Sequence, residues 1–157
     1  MPITQEAGQA LGREVLAAFK AGFEKNNHDE TCGQLFADEC SWNWSDGFQG
    51  QGPKEKIFEQ LKSTWGAMVC SFTPAAPQIL VDTDNAKIVT YINLVICIDG
   101  GFPDMKHVVH NPCCFICGVN DEGKINQYDG IWDNSNPDMK AALGAVMAKM
   151  EEAKASS

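Results

Sequence analysis

Residues 40–53 read Cys40-Ser41-Trp42-Asn43-Trp44-Ser45-Asp46-Gly47-Phe48-Gln49-Gly50-Gln51-Gly52-Pro53, and a helical period follows in Ile57, Phe58, Leu61 and Trp65. The first seven residues alternate. In a strand, Trp42, Trp44 and Asp46 share one face, and Ser41, Asn43 and Ser45 the other. Gly47, Gly50 and Gly52 break that strand. Pro53 suits the first turn of the next helix, where its missing N–H has no partner to lose. The stretch therefore predicts a short strand bearing two indoles, a glycine loop and a packed helix. Two large rings and a carboxylate on one strand face suggest a pocket wall.

Upstream, Leu11, Val15, Phe19 and Phe23, with Ala18 and Gly22 beside them, form one apolar stripe of a helix over residues 5–26. Asn26-Asn27-His28-Asp29 ends it, and Asp29 is placed to cap a short second helix whose buried side is Cys32, Leu35 and Phe36. Downstream, Val69 to Val81 contains Pro74 and Pro77, which predict an edge strand or a bulge. Residues 86–98 form the clearest strand. Ile88, Thr90, Ile92, Leu94, Ile96 and Ile98 lie on one face, and Val89, Tyr91, Asn93, Val95 and Cys97 on the other. Both faces are largely apolar, so both are expected to be covered. A turn at Asp99-Gly100-Gly101 leads into a strand over 106–119 that contains Pro112, where a bulge stays open. A hairpin at Asn120-Asp121-Glu122-Gly123 leads to a last strand over 125–133. Asn134 or Asn136 caps a final helix with Pro137 at its start and Met139, Leu143, Val146, Met147 and Met150 inside; residues 153–157 are expected to fray. No repeat or linker interrupts the chain, so residues 1–157 read as one α+β domain.

The 157 residues suit a single core, and the net charge of −9, with Arg13 the only arginine, disfavours nucleic acid and anionic membrane surfaces. No apolar run approaches ~20 residues, so no spanning helix is expected. The start, Met1-Pro2-Ile3-Thr4-Gln5-Glu6, lacks the pattern of a secretory leader. Seven cysteines in an otherwise ordinary composition fit free thiols in a reducing, intracellular compartment; a transit peptide already removed stays open. Cys113 and Cys117 of one strand lie roughly 13 Å apart, with Cys114 on the opposite face, so no tetrahedral metal site and no cofactor is expected.

The element order, Phe36-Ala-Asp-Glu-Cys-Ser-Trp-Asn-Trp44 before the glycine turn, Gly50-Gln-Gly-Pro-Lys-Glu-Lys-Ile-Phe58 within it, and the hairpin Asn120 to Ile125 resemble nuclear transport factor 2-like, or SnoaL-like, domains over most of the chain. The resemblance implies a cone-shaped α+β barrel. A curved mixed or antiparallel sheet would wrap around three N-terminal helices, with a C-terminal helix, an apolar pocket and a homodimer through the outer sheet face. The family hosts ketosteroid isomerases, polyketide cyclases, dehydratases, epoxide hydrolases and association modules, so fold does not decide function. Alignment on the glycine turn puts the ketosteroid isomerase general base at Trp44, which cannot accept a proton, and the second pocket acid at Phe115. The limonene epoxide hydrolase set needs an arginine between two aspartates, and Arg13 is on the first helix. SnoaL-like cyclases place an acid on the last strand, where Asp129 and Asp133 are each out of register. No match to the carbonic anhydrase histidine and serine pattern is present.

Two site readings follow. In one, a small apolar substrate undergoes isomerisation, cyclisation or dehydration without a cofactor. Asp46 acts as base and His107 as acid, and Tyr91 or Tyr128 polarises an oxygen. In the other, Asp46 caps the glycine loop, His107 is a wall or interface histidine, and the pocket only binds. The family register turns His107, Asn111, Cys113 and Phe115 inward. Trp42, Trp44, Trp65, Tyr91, Asn93, Asn111, Phe115 and Tyr128 are the candidate ligand-binding residues. A third reading makes the domain an assembly module, with the Ile88–Ile98 face and the Val108, Cys114, Ile116 face pairing across a two-fold axis.

Overall fold

The computed structural model describes residues 3–156. Its elements are α1 (Gln5–Lys25), α2 (His28–Cys32), β1 (Phe36–Trp44), β2 (Gln49–Pro53), α3 (Glu55–Gln60) continuing as a π-helical turn (Leu61–Trp65), β3 (Val69–Asp82), β4 (Lys87–Ile98), β5 (His107–Val119), β6 (Ile125–Trp132) and α4 (Pro137–Ala155). Met1, Pro2 and Ser157, which the leader and tail expectations include, lie outside the described residues. The expected fraying tail is helical as far as Ala155.

The six strands form one curved, unclosed sheet in the order β2-β1-β6-β5-β4-β3. The β1–β6 pair is parallel and the other four pairs are antiparallel, so the sheet is mixed. α1 packs inside the curve against β3 and β4. Thr4 starts α1 by accepting from the Ala7 N–H at 3.1 Å, and Asn26 ends it at a left-handed φ of 50°. Gly12 on the buried side lets the sheet approach: a Cβ there would lie 2.9 Å from Ile79 Cγ2.

Several expectations are corrected. Asn27, not Asp29, caps α2, its side chain accepting from the Glu30 N–H at 3.2 Å, and His28 and Cys32 are its buried residues. The glycine loop is a strand. β2 pairs with β1 in the register Trp42↔Gly50 and Cys40↔Gly52. Glycine is poor in strands, but Gly50 leaves room for an indole: a Cβ on it would sit 3.0 Å from Trp42 Cζ2. Pro53 ends β2, and α3 begins at Glu55 behind Lys54. Pro74 and Pro77 do fall on an edge strand, with a bulge between Ala75 and Gln78. Pro112 makes no bulge, because β5 keeps an unbroken register with β4 from His107 to Gly118. The β6 ladder starts only at Cys113, so the missing N–H of Pro112 faces no second strand.

β4 is covered on one face only. Its even-numbered residues from Ile88 to Ile98 point into the core, whereas Tyr91 and Asn93 are exposed and Val89, Val95 and Cys97 half-buried. Register pairs Val89 with Ile116, Tyr91 with Cys114 and Cys97 with Val108, so these residues share the outer face. The Ile88–Ile98 face and the Val108, Cys114, Ile116 face are therefore opposite sides of the sheet and cannot form one surface. Asn136 caps α4, accepting from the Asp138 and Met139 N–H groups at 3.0 and 3.1 Å. Met139, Ala142 and Val146 are its buried side, while Met147, expected inside, is 55% exposed. Among the described residues no helix is long and apolar enough to cross a membrane.

Candidate functional site

The concave side of the sheet does not fill completely. α1 brings Phe19 and Phe23 to it, β1 brings Trp44, and the π-helical turn brings Leu61 and Trp65. Val69 and Phe72 of β3, with Leu94 and Ile96 of β4, form the far wall. Asn111, Cys113 and Phe115 of β5 and Tyr128 and Trp132 of β6 complete the sheet side, and Met139 closes the end under α4. They enclose a cavity of about 60 Å³. A space of roughly 10–15 Å³ is enough for one water, so this cavity has room for more than a single water, though it is smaller than the roughly 150 Å³ of a cavity that holds benzene.

Ring geometry sets the shape. Tyr128 is sandwiched between Phe19, at a centroid distance of 5.1 Å and 22°, and Phe115, at 5.6 Å and 12°. Trp132 stands edge-on to Trp44 at 5.9 Å and to Trp65 at 5.8 Å. Among the described lining residues Trp65 and Trp132 are half-buried and the others buried, so these two indoles are the part of the lining that reaches solvent. Ser45 holds the main chain at Trp132, its hydroxyl accepting from the Trp132 backbone N–H at 3.1 Å. π-Helical turns recur at functional sites, and this one puts Leu61 and Trp65 on the same cavity.

Two asparagines latch the lid. Asn136 Nδ2 donates to the His110 carbonyl at 2.9 Å, and Asn111 Nδ2 to the Asp133 carbonyl at 3.3 Å. This ties the start of α4 to β5 and sets Met139 over the space. Among the described residues no charged side chain lines the cavity. Burial pushes the Cys113 thiol up to about 12, with Cys114 adding to it, so it stays protonated and is no nucleophile at neutral pH. That thiol donates to the Asn111 carbonyl at 3.3 Å. Burial also raises the Tyr128 phenol well above its usual range, with Cys117 second, leaving a neutral hydroxyl.

Of the expected ligand-binding residues, Trp44, Trp65, Asn111, Phe115 and Tyr128 are on the cavity and Trp42, Tyr91 and Asn93 are not. Trp42 has the inward facing of Trp44, but Phe48 stacks on it at 5.5 Å and fills the space beside it. Tyr91, 51% exposed, and Asn93 belong to the outer face, because the period of β4 turns its even-numbered residues inward. Asp46 is exposed in the β1–β2 turn and accepts from the Phe48 N–H at 3.0 Å, since β1 stops at Trp44 before the alternation reaches it. His107 starts β5 on the inner side but four residues before Asn111, roughly 13 Å along the strand, and does not reach the cavity. The structure thus brings Asp46 and His107 to no common space. Trp132 and Met139 were not anticipated. The signal for Trp132 was its alternation with Tyr128 and Gly130 along the last strand.

No protein-family model matches the chain, and no curated protein matches its sequence. Solved structures do match. A nuclear transport factor 2-like protein from Anabaena variabilis superposes with a TM-score of 0.66 at 11% identity, covering 87% of this chain and 96% of that one. An epoxide hydrolase of M. tuberculosis, described as LEH-like, gives 0.61 at 19% identity over 93% and 98% of the two chains. The epoxide hydrolase/cyclase-like enzyme SalBIII, associated with pyran ring formation in the polyether salinomycin, gives 0.59 at 15% identity over 82% and 94%. The chain has the nuclear transport factor 2-like, SnoaL-like fold.

Proposed function

We propose that the protein binds a small, uncharged, mostly apolar molecule in the cavity behind Trp65 and Trp132. One observation carries this: the cavity is lined by rings, aliphatic chains and neutral polar groups, and the two groups expected to move protons lie outside it. General acid–base work needs a donor or acceptor within hydrogen-bond reach of the reacting atom. Burying a charged ligand here, without a partner charge, is strongly unfavourable. Turnover is the second reading, favoured by fold neighbours described as an epoxide hydrolase and a cyclase-like enzyme. Polarisation of a ligand oxygen would then fall to the neutral Tyr128 hydroxyl.

The test is to extract purified protein under denaturing conditions and identify any co-purifying small molecule by mass spectrometry. A neutral compound, recovered chemically unchanged after long incubation with fresh protein, is the expected result. Asp46→Asn and His107→Gln should hold its affinity within about twofold, since neither side chain is on the cavity. An anionic or cationic ligand, or a compound converted only when Asp46 is intact, would overturn the binding reading.

We also infer that a second copy of the chain covers the outer sheet face, where Leu80, Tyr91, Val108 and Ile131 are each more than half exposed.

A further inference from the structure

The geometry points to a hydrogen-bond-donating group, a hydroxyl or an N–H, on the molecule this cavity holds, with Asn111 Oδ1 as its acceptor. The inference rests on the cavity-binding reading above and adds the chemical class of the ligand.

Asn111 is 1% exposed, lines the cavity, and is the only amide side chain to do so among the described residues. Its orientation is determined by its partner. The Asp133 carbonyl can only accept, so the amide atom that faces it at 3.3 Å is the nitrogen. The oxygen is then directed elsewhere, and among the described residues it is buried without a hydrogen-bond partner. A buried acceptor left unpaired is disfavoured, and most buried polar groups in folded proteins have partners. The other cavity polar groups do not supply one. The Cys113 thiol already donates to the Asn111 backbone carbonyl at 3.3 Å. The Trp44 indole N–H also lacks a partner among the described residues, so it does not satisfy Asn111 either. An apolar ligand would leave the Oδ1 atom as it is. That oxygen has almost no surface open to a water-sized molecule. A ligand with one donor, its remaining surface against Phe115, Tyr128 and Met139, would therefore satisfy it by drawing the amide oxygen toward the cavity, and would bury its own apolar part.

The experiment uses three small isosteres of about five non-hydrogen atoms each, isobutanol, methyl isopropyl ether and isopentane. Isobutanol can donate, the ether can only accept, and isopentane can do neither. Binding is followed by protein NMR shifts of the tryptophan indole N–H signals, in wild type and Asn111→Leu. The expected result is that wild type prefers the alcohol to the ether by about tenfold or more, the scale of one hydrogen bond to an otherwise unpaired acceptor. In Asn111→Leu that preference should fall to within about twofold, with isopentane binding at least as well as the alcohol. If the ether binds as tightly as the alcohol in wild type, a cavity donor, the Tyr128 hydroxyl or the Trp44 N–H, is the handle and the inference fails, while cavity binding stands. A preference for the alcohol that survives in Asn111→Leu overturns it equally. If none of the three binds wild type, the cavity-binding reading fails first and takes this inference with it. The wild-type series decides even where Asn111→Leu does not fold.

Discussion

His28 is a buried imidazole, 3% exposed, with neither ring nitrogen hydrogen-bonded among the described residues. Phe23 meets it edge-on at 4.6 Å, and a Cβ on Gly22 would lie 2.4 Å from its Cδ2, so α1 presses directly on the ring. Burial lowers its pKa from the ordinary 6.5 to about 4. The folded chain therefore holds the neutral ring, while the unfolded chain takes up a proton first as pH falls. The contribution of His28 is complete above 6.5 and is lost as pH drops from 6.5 towards 4. Over that window the loss approaches about 3 kcal/mol. Urea denaturation of wild type and His28→Leu at pH 7 and pH 4.5 checks this: the variant should lack that part of the acid slope. At the same scale the two strand-borne indoles of β1 were alike in the sequence and differ in the structure. Both pack on Phe48, but Trp44 also lines the cavity and Trp42 does not. A period-2 pattern assigns a face but not what lies across from it.

Among the elements, α4 is the one that closes the site. Its cap ties it to β5 through Asn136, and it lowers Met139 into the end of the cavity. Met139→Ala should cost about 2–3 kcal/mol, read from chemical denaturation, because the removed side chain leaves a larger void. The same variant should bind toluene more tightly than wild type, since wild type has room for only a few heavy atoms. No gain in toluene binding would mean that Met139 does not limit the cavity. Sequence periodicity showed where α1, β4 and β6 lie, since long amphipathic or alternating segments carry strong signals. It missed β2, because the glycines that permit Trp42 to lie across the hairpin are also the usual marks of a loop. It left a bulge open at Pro112, because the neighbour that decides whether a missing N–H matters is set by the sheet order.

On the scale of the whole molecule, the outer face gathers four of the five exposed large hydrophobic residues among the described ones, Leu80, Tyr91, Val108 and Ile131. Ile131, 52% exposed, is level with Cys114 and Tyr91 in the middle of that face. Ile131→Lys should convert a dimer into a monomer in sedimentation or light scattering. Intrinsic stability of the subunit should stay within about 0.5 kcal/mol, as for other exposed substitutions. A wild-type monomer at micromolar concentration would remove the second copy. The amino-acid sequence by itself determined the α+β class, the order of all elements but one, the two alternating faces of the longest strand without saying which is inward, and the resemblance to nuclear transport factor 2-like domains. These follow from local periodicity, turn residues and caps, which act over a few neighbouring positions. Only the tertiary structure decided that Asp46 and His107 share no space, that the outer face of β4 is open, and that Asn111, Trp132 and Met139 meet at one neutral cavity. These facts depend on where β1 ends, which strands adjoin and how α4 is latched. They join residues about 20 to 120 positions apart, and such separations leave no trace in a local pattern.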